Sequence, residues 1–423
     1  MTILFLLLSA VIGVPLFCVI GSLAIYAFFN VDIDISAIII EMVRLASAPT
    51  LLAIPLFTFT GYLLAQSKAP SRMVDLSRAL VGWIPGGIPV AVFITCAFFT
   101  AFTGASGVTI IALGGLLYPI LKSEQYPEKF TLGLLTCSGS VGLLLPPSLP
   151  IILYGVVSNT SISRLFMAGI VPEMMLITFL SIFSIRKGFN RANKRVKFSF
   201  SQLLKTTKAS IFEIPLPFIV LIGIYSGAFT PTEAAAISAI YVLIVEVFIY
   251  KDIGLKKDLP EIMKKSMTLV GSILIILGIA LGLTNFLVDA QVPMKILDWI
   301  QQYVHNKWVF LILLNILLLV VGCIMDIFSA IIVIVPLIKP IAVSFGVDPV
   351  HLGIIFLCNL EIGYSTPPIG INLFISSSRF KKPIIDLYKA TLPFLSILII
   401  GLLLITYFPW ICLGLEKLLT GIR

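Results

Sequence analysis

The sequence predicts an all-α polytopic membrane protein of two inverted-topology repeats, each with a re-entrant hairpin and a discontinuous helix. Three observations carry this. Hydrophobic residues make up 59% of the 423 positions and charged residues only 12%, about half the charged share of soluble domains. Apolar stretches of about 20 residues, the length that crosses a hydrocarbon layer about 30 Å thick, recur along the whole chain. Helix-breaking residues, finally, return at a fixed offset of 221 positions.

Taken in order, the first apolar run, near 3 to 29, is too long for a signal-peptide core and has no basic residue before it, so it is read as a helix that stays. Further spans are expected near 49 to 66, 130 to 157, 165 to 186, 211 to 229, 232 to 250, 268 to 288, 351 to 377 and 385 to 411. Two stretches, 86 to 121 and 308 to 345, are read as hairpins that enter and leave on one side. The six cysteines all fall in apolar segments without metal-ligand spacing, which supports neither a disulfide framework nor a zinc site.

A net charge of +9 in a soluble protein would raise the question of nucleic acid. Here its distribution gives a different answer. With the N-terminus inside, 22 of the 29 basic residues fall in cytoplasmic loops, densest between Arg186 and Lys208. That is the asymmetry of positive-inside topology. It places the C-terminus in the periplasm and leaves no role for a nucleic-acid partner.

Shifting the chain by 221 residues lays Pro119 on Pro340, Gly142 on Gly363, Pro146 on Pro367, Pro147 on Pro368 and Pro172 on Pro393. Five expected crossings separate the two copies, so they run in opposite directions. The chain is therefore divided into a first repeat at 1–185, a basic cytoplasmic linker at 186–210 and a second repeat at 211–423. Inverted repeats with interrupted helices mark secondary transporters, whose sites lie near the midplane between the copies.

Pro146 with Pro147 and Pro367 with Pro368 are read as deliberate helix breaks. Each proline removes a backbone donor, and unwound backbone is tolerated at membrane depth only where protein or an aqueous cavity satisfies it. A single pair would suit a mere kink, but two at matched positions beside small polar residues argue for ligand sites. The first break offers the hydroxyls of Ser138, Ser140 and Ser148; the second offers Asn359, Glu361, Ser365, Thr366 and Asn372. In the first hairpin, "FTGASGVT" supplies Thr103, Ser106 and Thr109 around Gly104 and Gly107. In the second, "GCIMDIFSA" places Asp326 alone in an apolar field. A carboxylate at that depth costs at least about 2.5 kcal/mol unless compensated. Hard oxygen donors without histidine or thiolate pairs suit an alkali cation. Glu361 is a candidate for a cation or a proton, Glu233 for a helix cap, and Glu213 and Glu246 for the interface. Both histidines, His305 and His351, are expected in extramembrane loops.

The stretches "FTGASGVTIIALGGLLYPIL", "GSVGLLLPPSLPIILYG", "MDIFSAIIVIVPLIKPIA" and "NLEIGYSTPPIGINLF" together resemble the large membrane subunit of tripartite ATP-independent periplasmic (TRAP) transporters, nearly end to end. The resemblance implies an elevator-type symporter of the bacterial inner membrane that takes up an organic acid anion, such as a C4-dicarboxylate or sialic acid, on a sodium gradient. It also implies two partners: a small four-helix membrane subunit and a periplasmic substrate-binding protein. No cofactor is implied beyond sodium as coupling ion. Carried onto this chain, one sodium site would use Thr103, Gly104 and Ser106 with Ser138, Ser140 and Gly142. The other would use Asp326 with Asn359, Gly363 and Thr366. Substrate would lie between them, against Thr103, Ser140, Ser148, Glu361, Ser365 and Asn372. Two positions depart from the family pattern: Ala105 stands where many relatives carry a hydroxyl, and Glu361 where some members with a sugar-acid substrate carry a small residue.

Two other readings compete. A single-component sodium- or proton-coupled transporter of related architecture would need no binding protein. An intramembrane enzyme would need a catalytic set that the sequence lacks, having no Ser/His pair at membrane depth and no metal-binding histidine cluster, so no enzymatic activity is expected.

Overall fold

The computed structural model describes residues 14–31, 34–189 and 198–420, and these are helical with no strand among them. Eight helices among the described residues are long and apolar enough to cross a bilayer, which makes the chain a multi-pass membrane protein.

The described residues begin with α1 (Leu16–Phe29) and α2 (Ser36–Ala46), then a 3₁₀ turn at Pro49–Leu52 leading into α3 (Ala53–Gln66) and α4 (Ala69–Val81). The first hairpin is α5 (Gly87–Thr103) with α6 (Ser106–Ser123). The first interrupted helix is α7 (Glu128–Ser138) with α8 (Leu149–Ser158), followed by α9 (Ile162–Phe189). After α10 (Phe200–Ala209) come α11 (Pro215–Tyr225), α12 (Pro231–Leu243, continued by a π-wound turn at Ile244–Ile249), α13 (Asp258–Asp289) and α14 (Val292–Tyr303). The second hairpin is α15 (Lys307–Ile324) with α16 (Ile327–Ser344). The second interrupted helix is α17 (Pro349–Gly363) with α18 (Ile371–Phe380), and α19 (Ile384–Tyr407) and α20 (Trp410–Thr420) close the chain.

Helix boundaries repeat at the offset seen in the prolines: Ser106 and Ser123 bound α6 as Ile327 and Ser344 bound α16, each 221 residues on. Hairpin arms of 17 to 18 residues reach about 26 Å at 1.5 Å per residue, nearly the full hydrocarbon depth.

Packing is reciprocal. Helix α6 of the first hairpin lies on α18, while α16 of the second hairpin lies on α8. Each hairpin therefore braces the far half of the other copy's broken helix. A second group forms where α1, α2 and α3 pack on α13, with α12 laid against α3. Lipid tails are as apolar as leucine, so these contacts rest on close backbone approach at small residues more than on hydrophobic burial. Where α15 crosses α17, a methyl on Gly363 would stand 2.7 Å from Gly322 Cα.

The structure differs from the sequence expectation at several places. The expected spans leave helices α2, α4, α10 and α14 in the connections, because a search for long apolar runs passes over short amphipathic helices. Helix α13 begins ten residues before its expected span, and the expected crossing at 211 to 229 is reduced to the 11-residue α11. His351 is not in a loop: it is buried in the first turn of α17, with Nε2 2.9 Å from the carbonyl oxygen of Ile405. Glu213 and Glu246 do not simply reach the interface, since both pair with Arg72. Glu233 closes a capping box with Thr230 at the start of α12. The expected start of the first span at residue 3 and the densest part of the basic linker, 190–197, lie outside the described residues.

Candidate functional site

At the first break the chain leaves α7 after Ser138 and stays irregular until Ser148. Pro146, Pro147 and Pro150 withhold three amide donors from any continuous helix there. Gly142 takes a φ of 108°, and a Cβ on it would lie 2.4 Å from the Ala97 carbonyl oxygen, so the turn admits only glycine. Its N–H donates to Glu173 Oε1 at 2.6 Å. The hairpin tip turns at Gly104, with φ 63°. Thr100 Oγ1 lies 2.9 Å from both the Gly139 carbonyl and Thr109 Oγ1, and Thr103 Oγ1 is 3.5 Å from Thr109 Oγ1. A hydroxyl and carbonyl cluster thus joins the first tip to the first break. Ser138 and Ser140 bond back to the carbonyls of Leu135 and Cys137, each at 3.3 Å.

The second break runs from Tyr364 to Gly370. Asp326, expected alone in an apolar field, is instead the N-cap of α16. Its Oδ1 accepts the N–H groups of Phe328 and Ser329, both at 3.0 Å, and its Oδ2 accepts Ser329 Oγ at 2.5 Å. Capping and the positive end of the helix dipole supply the compensation that the sequence left open. The Tyr364 hydroxyl accepts from the Ile327 amide, so the break touches the tip beside Asp326. Cys323 Sγ donates to the Thr366 carbonyl at 3.3 Å and accepts from Ile369 N at 3.4 Å. Asn359 turns elsewhere, donating to Asn315 Oδ1 at 2.8 Å, while Asn315 donates to Thr406 Oγ1 at 3.1 Å.

The two halves meet at one point. Ser106 Oγ, on the first tip, donates to Asn372 Oδ1 at 2.7 Å. Asn372 Nδ2 lies 3.5 Å from both the Thr136 carbonyl and Ser365 Oγ. The carboxyl groups of Glu173 and Glu361 adjoin, both fully buried. Several buried oxygens have no hydrogen-bond donor among the described residues: Ser148 Oγ, Asn359 Oδ1, Glu173 Oε2 and both carboxyl oxygens of Glu361. Buried acceptors of this kind cost about 1–3 kcal/mol each when left unpaired; Ser148 lies inside the first break, and Asn359 and Glu361 lie near the end of the helix that leads into the second.

The structure thus brings Thr103, Gly104 and Ser106 to the first break, the tip beside Asp326 to Tyr364, the tip residue Cys323 to Thr366, and Ser106 to Asn372, which in turn reaches Ser365. It bonds neither Asn359 nor Glu361 to Asp326. Sequence reasoning passed over Thr100, Thr136, Glu173, Asn315 and Tyr364. Glu173 in "VPEMML" and Asn315 in "LLNILL" carried a usable signal, a polar side chain alone in an apolar run.

Residues 1–411 match the family model described as the tripartite ATP-independent periplasmic transporter, DctM component. The chain belongs to that family. Among relatives of this DctM-family chain, the C4-dicarboxylate TRAP transporter large permease protein DctM of Pseudomonas aeruginosa is 34% identical, covering 94% of this chain and 92% of its own length. The isethionate TRAP transporter permease protein DctMQ of Oleidesulfovibrio alaskensis is 33% identical over 95% of this chain and 64% of its own. In fold, the chain resembles the YdaH transporter of Alcanivorax borkumensis, with a TM-score of 0.62 and 15% identity, covering 90% of this chain and 88% of that one. The matched span contains both hairpins and both breaks. The chain is accordingly a permease subunit and not an enzyme.

Proposed function

We propose that this chain is the large subunit of a sodium-driven importer of an organic acid anion, a C4-dicarboxylate, sialic acid or similar carboxylate. It receives its substrate from a periplasmic binding protein and works beside a small four-helix membrane subunit in the bacterial inner membrane. The observation that carries this reading is the Ser106–Asn372 hydrogen bond, which ties the tip of one hairpin to the broken helix of the other half. On this reading two ligand centres flank that contact. The first, with Thr103, Gly104, Ser106, Ser138, Ser140 and Gly142, and the second, with Asp326, Asn359, Gly363 and Thr366, are the proposed sodium sites. Thr103, Ser140, Ser148, Glu361, Ser365 and Asn372 are the proposed substrate contacts.

On this reading the chain divides into repeats at 1–185 and 211–423 around a cytoplasmic linker at 186–210, with the N-terminus inside and the C-terminus in the periplasm. The hairpins and broken helices move together as an elevator against the helices gathered on α13. The 22 basic residues on one side support the orientation.

The test is uptake into proteoliposomes with the binding protein present, with and without a sodium gradient. Asparagine caps helices as well as aspartate does. Asp326→Asn should therefore insert and melt like the wild type yet lose sodium-dependent uptake. Full uptake on a pH gradient in sodium-free buffer overturns the proposal, and uptake without any binding protein favours the single-component reading.

A further inference from the structure

A cavity of about 480 Å³ lies away from both breaks, where the start of α7, the end of α9 and the start of α19 meet. Phe130, Phe183 and Phe394 line it and form one aromatic group, with ring centroids 5.3 to 6.4 Å apart. Lys129, Lys187 and Lys389 line it as well, and all three are exposed. None of the three forms an ion pair with another described residue.

The acids that neighbour these lysines in the chain are directed elsewhere. Glu128 pairs with Lys382 at 2.5 Å and accepts from Tyr118 Oη at 3.2 Å. Asp386 acts on Lys382 and does not line the cavity. Three like charges around an uncharged aromatic wall leave a local positive field with no paired counter-charge among the described residues, which favours an anion. A free anion would use the lysines and leave the aromatic wall bare. A ligand with a charged head and an apolar body uses both.

The cavity also lies at helix ends, on the side that the basic residues mark as cytoplasmic, where lipid headgroups sit. We propose that this cavity binds the phosphate headgroup of an anionic phospholipid, with the first part of an acyl chain laid against Phe130, Phe183 and Phe394. Helix α7 runs from this cavity to the first break at Ser138, so an occupied site braces the helix that carries the break.

The experiment uses the purified full chain in detergent and reads lipid adducts by native mass spectrometry, with phosphatidylglycerol, phosphatidylcholine and inorganic phosphate as probes. This readout is independent of sodium coupling and of topology, so it can fail while the transport proposal stands, and the reverse. Each lysine near an anionic headgroup contributes roughly fivefold in affinity. Lys129→Gln, Lys187→Gln and Lys389→Gln combined should then weaken phosphatidylglycerol about a hundredfold, and Lys389→Gln alone about fivefold. The exposed pair Lys256→Gln with Lys257→Gln should leave binding unchanged. Equal binding of phosphatidylcholine, displacement of the lipid by millimolar phosphate, or an equal loss in the Lys256/Lys257 variant overturns the proposal.

Discussion

The two copies share a backbone and differ in how they are held. Helix α4, which leads into the first hairpin, is fixed by charge. Arg72 pairs with Glu213, with Glu246 at 3.0 Å and with Asp252 at 2.5 Å, all almost fully buried. Its guanidinium also lies 3.9 Å above the Tyr250 ring. The equivalent helix, α14, has Pro293 at the matching position and docks through Pro293 and Leu297 instead. At the hairpin tips the assignment is reversed. The first tip turns on a left-handed glycine beside uncharged Ala105, and the second turns on the carboxylate of Asp326. Each copy thus places its charge where the other has none. A duplicated backbone device leaves its electrostatics free to specialise, one copy at its anchor and the other at its ligand-facing tip.

This contrast can be broken at three points. Removing Arg72 strands three buried carboxylates, so Arg72→Ala should destabilise the purified chain by about 3 kcal/mol. Lys295→Ala, on exposed α14, should stay within about 0.5 kcal/mol. Equal shifts in melting temperature would show that the two arms are not held differently. At the breaks, Gly142→Ala meets both a left-handed φ and the Ala97 carbonyl, and should cost about 2–4 kcal/mol. Gly363→Ala, without a left-handed φ, meets the Gly322 and Cys323 backbone and should cost about 1–3 kcal/mol. A reversed order would mean that the α15–α17 crossing is tighter than the first turn. Smallest is the link between the copies. A double-mutant cycle of Ser106→Ala with Asn372→Ala should give a coupling of about 1 kcal/mol, and a value near zero would show that the bond carries no energy.

The spans, hairpins and breaks were legible because each depends on residues with strong local physics. Long apolar runs fix the helices, and prolines 221 residues apart mark the interruptions. Three-dimensional partnering was much less legible. Nothing near Asn359 in the sequence points to Asn315, nor anything near Glu361 to Glu173, because both contacts depend on how separate helices cross. Asp326 stands out in the sequence as a carboxylate in an apolar run, but its capping of α16 does not. The sequence shows Ser329 three residues on, yet whether α16 begins there depends on where the tip bends. Arg72 enters the charge count only as one of the basic residues on the cytoplasmic side, and that count has no means of showing that three acids from later in the chain surround it.

The hydrogen bond from Ser106 to Asn372 also sets an order of assembly. Its partners are 266 residues apart, and ribosomes add roughly 5–20 residues per second. The first hairpin therefore leaves the ribosome roughly 13 to 50 s before Asn372 is made, and meanwhile its serine hydroxyl lacks its final acceptor. The nascent first half must wait in the bilayer, or in the insertion machinery, as an incomplete unit. Neither half can be finished by itself, so a truncation after the first repeat should leave a product that quality-control proteases recognise.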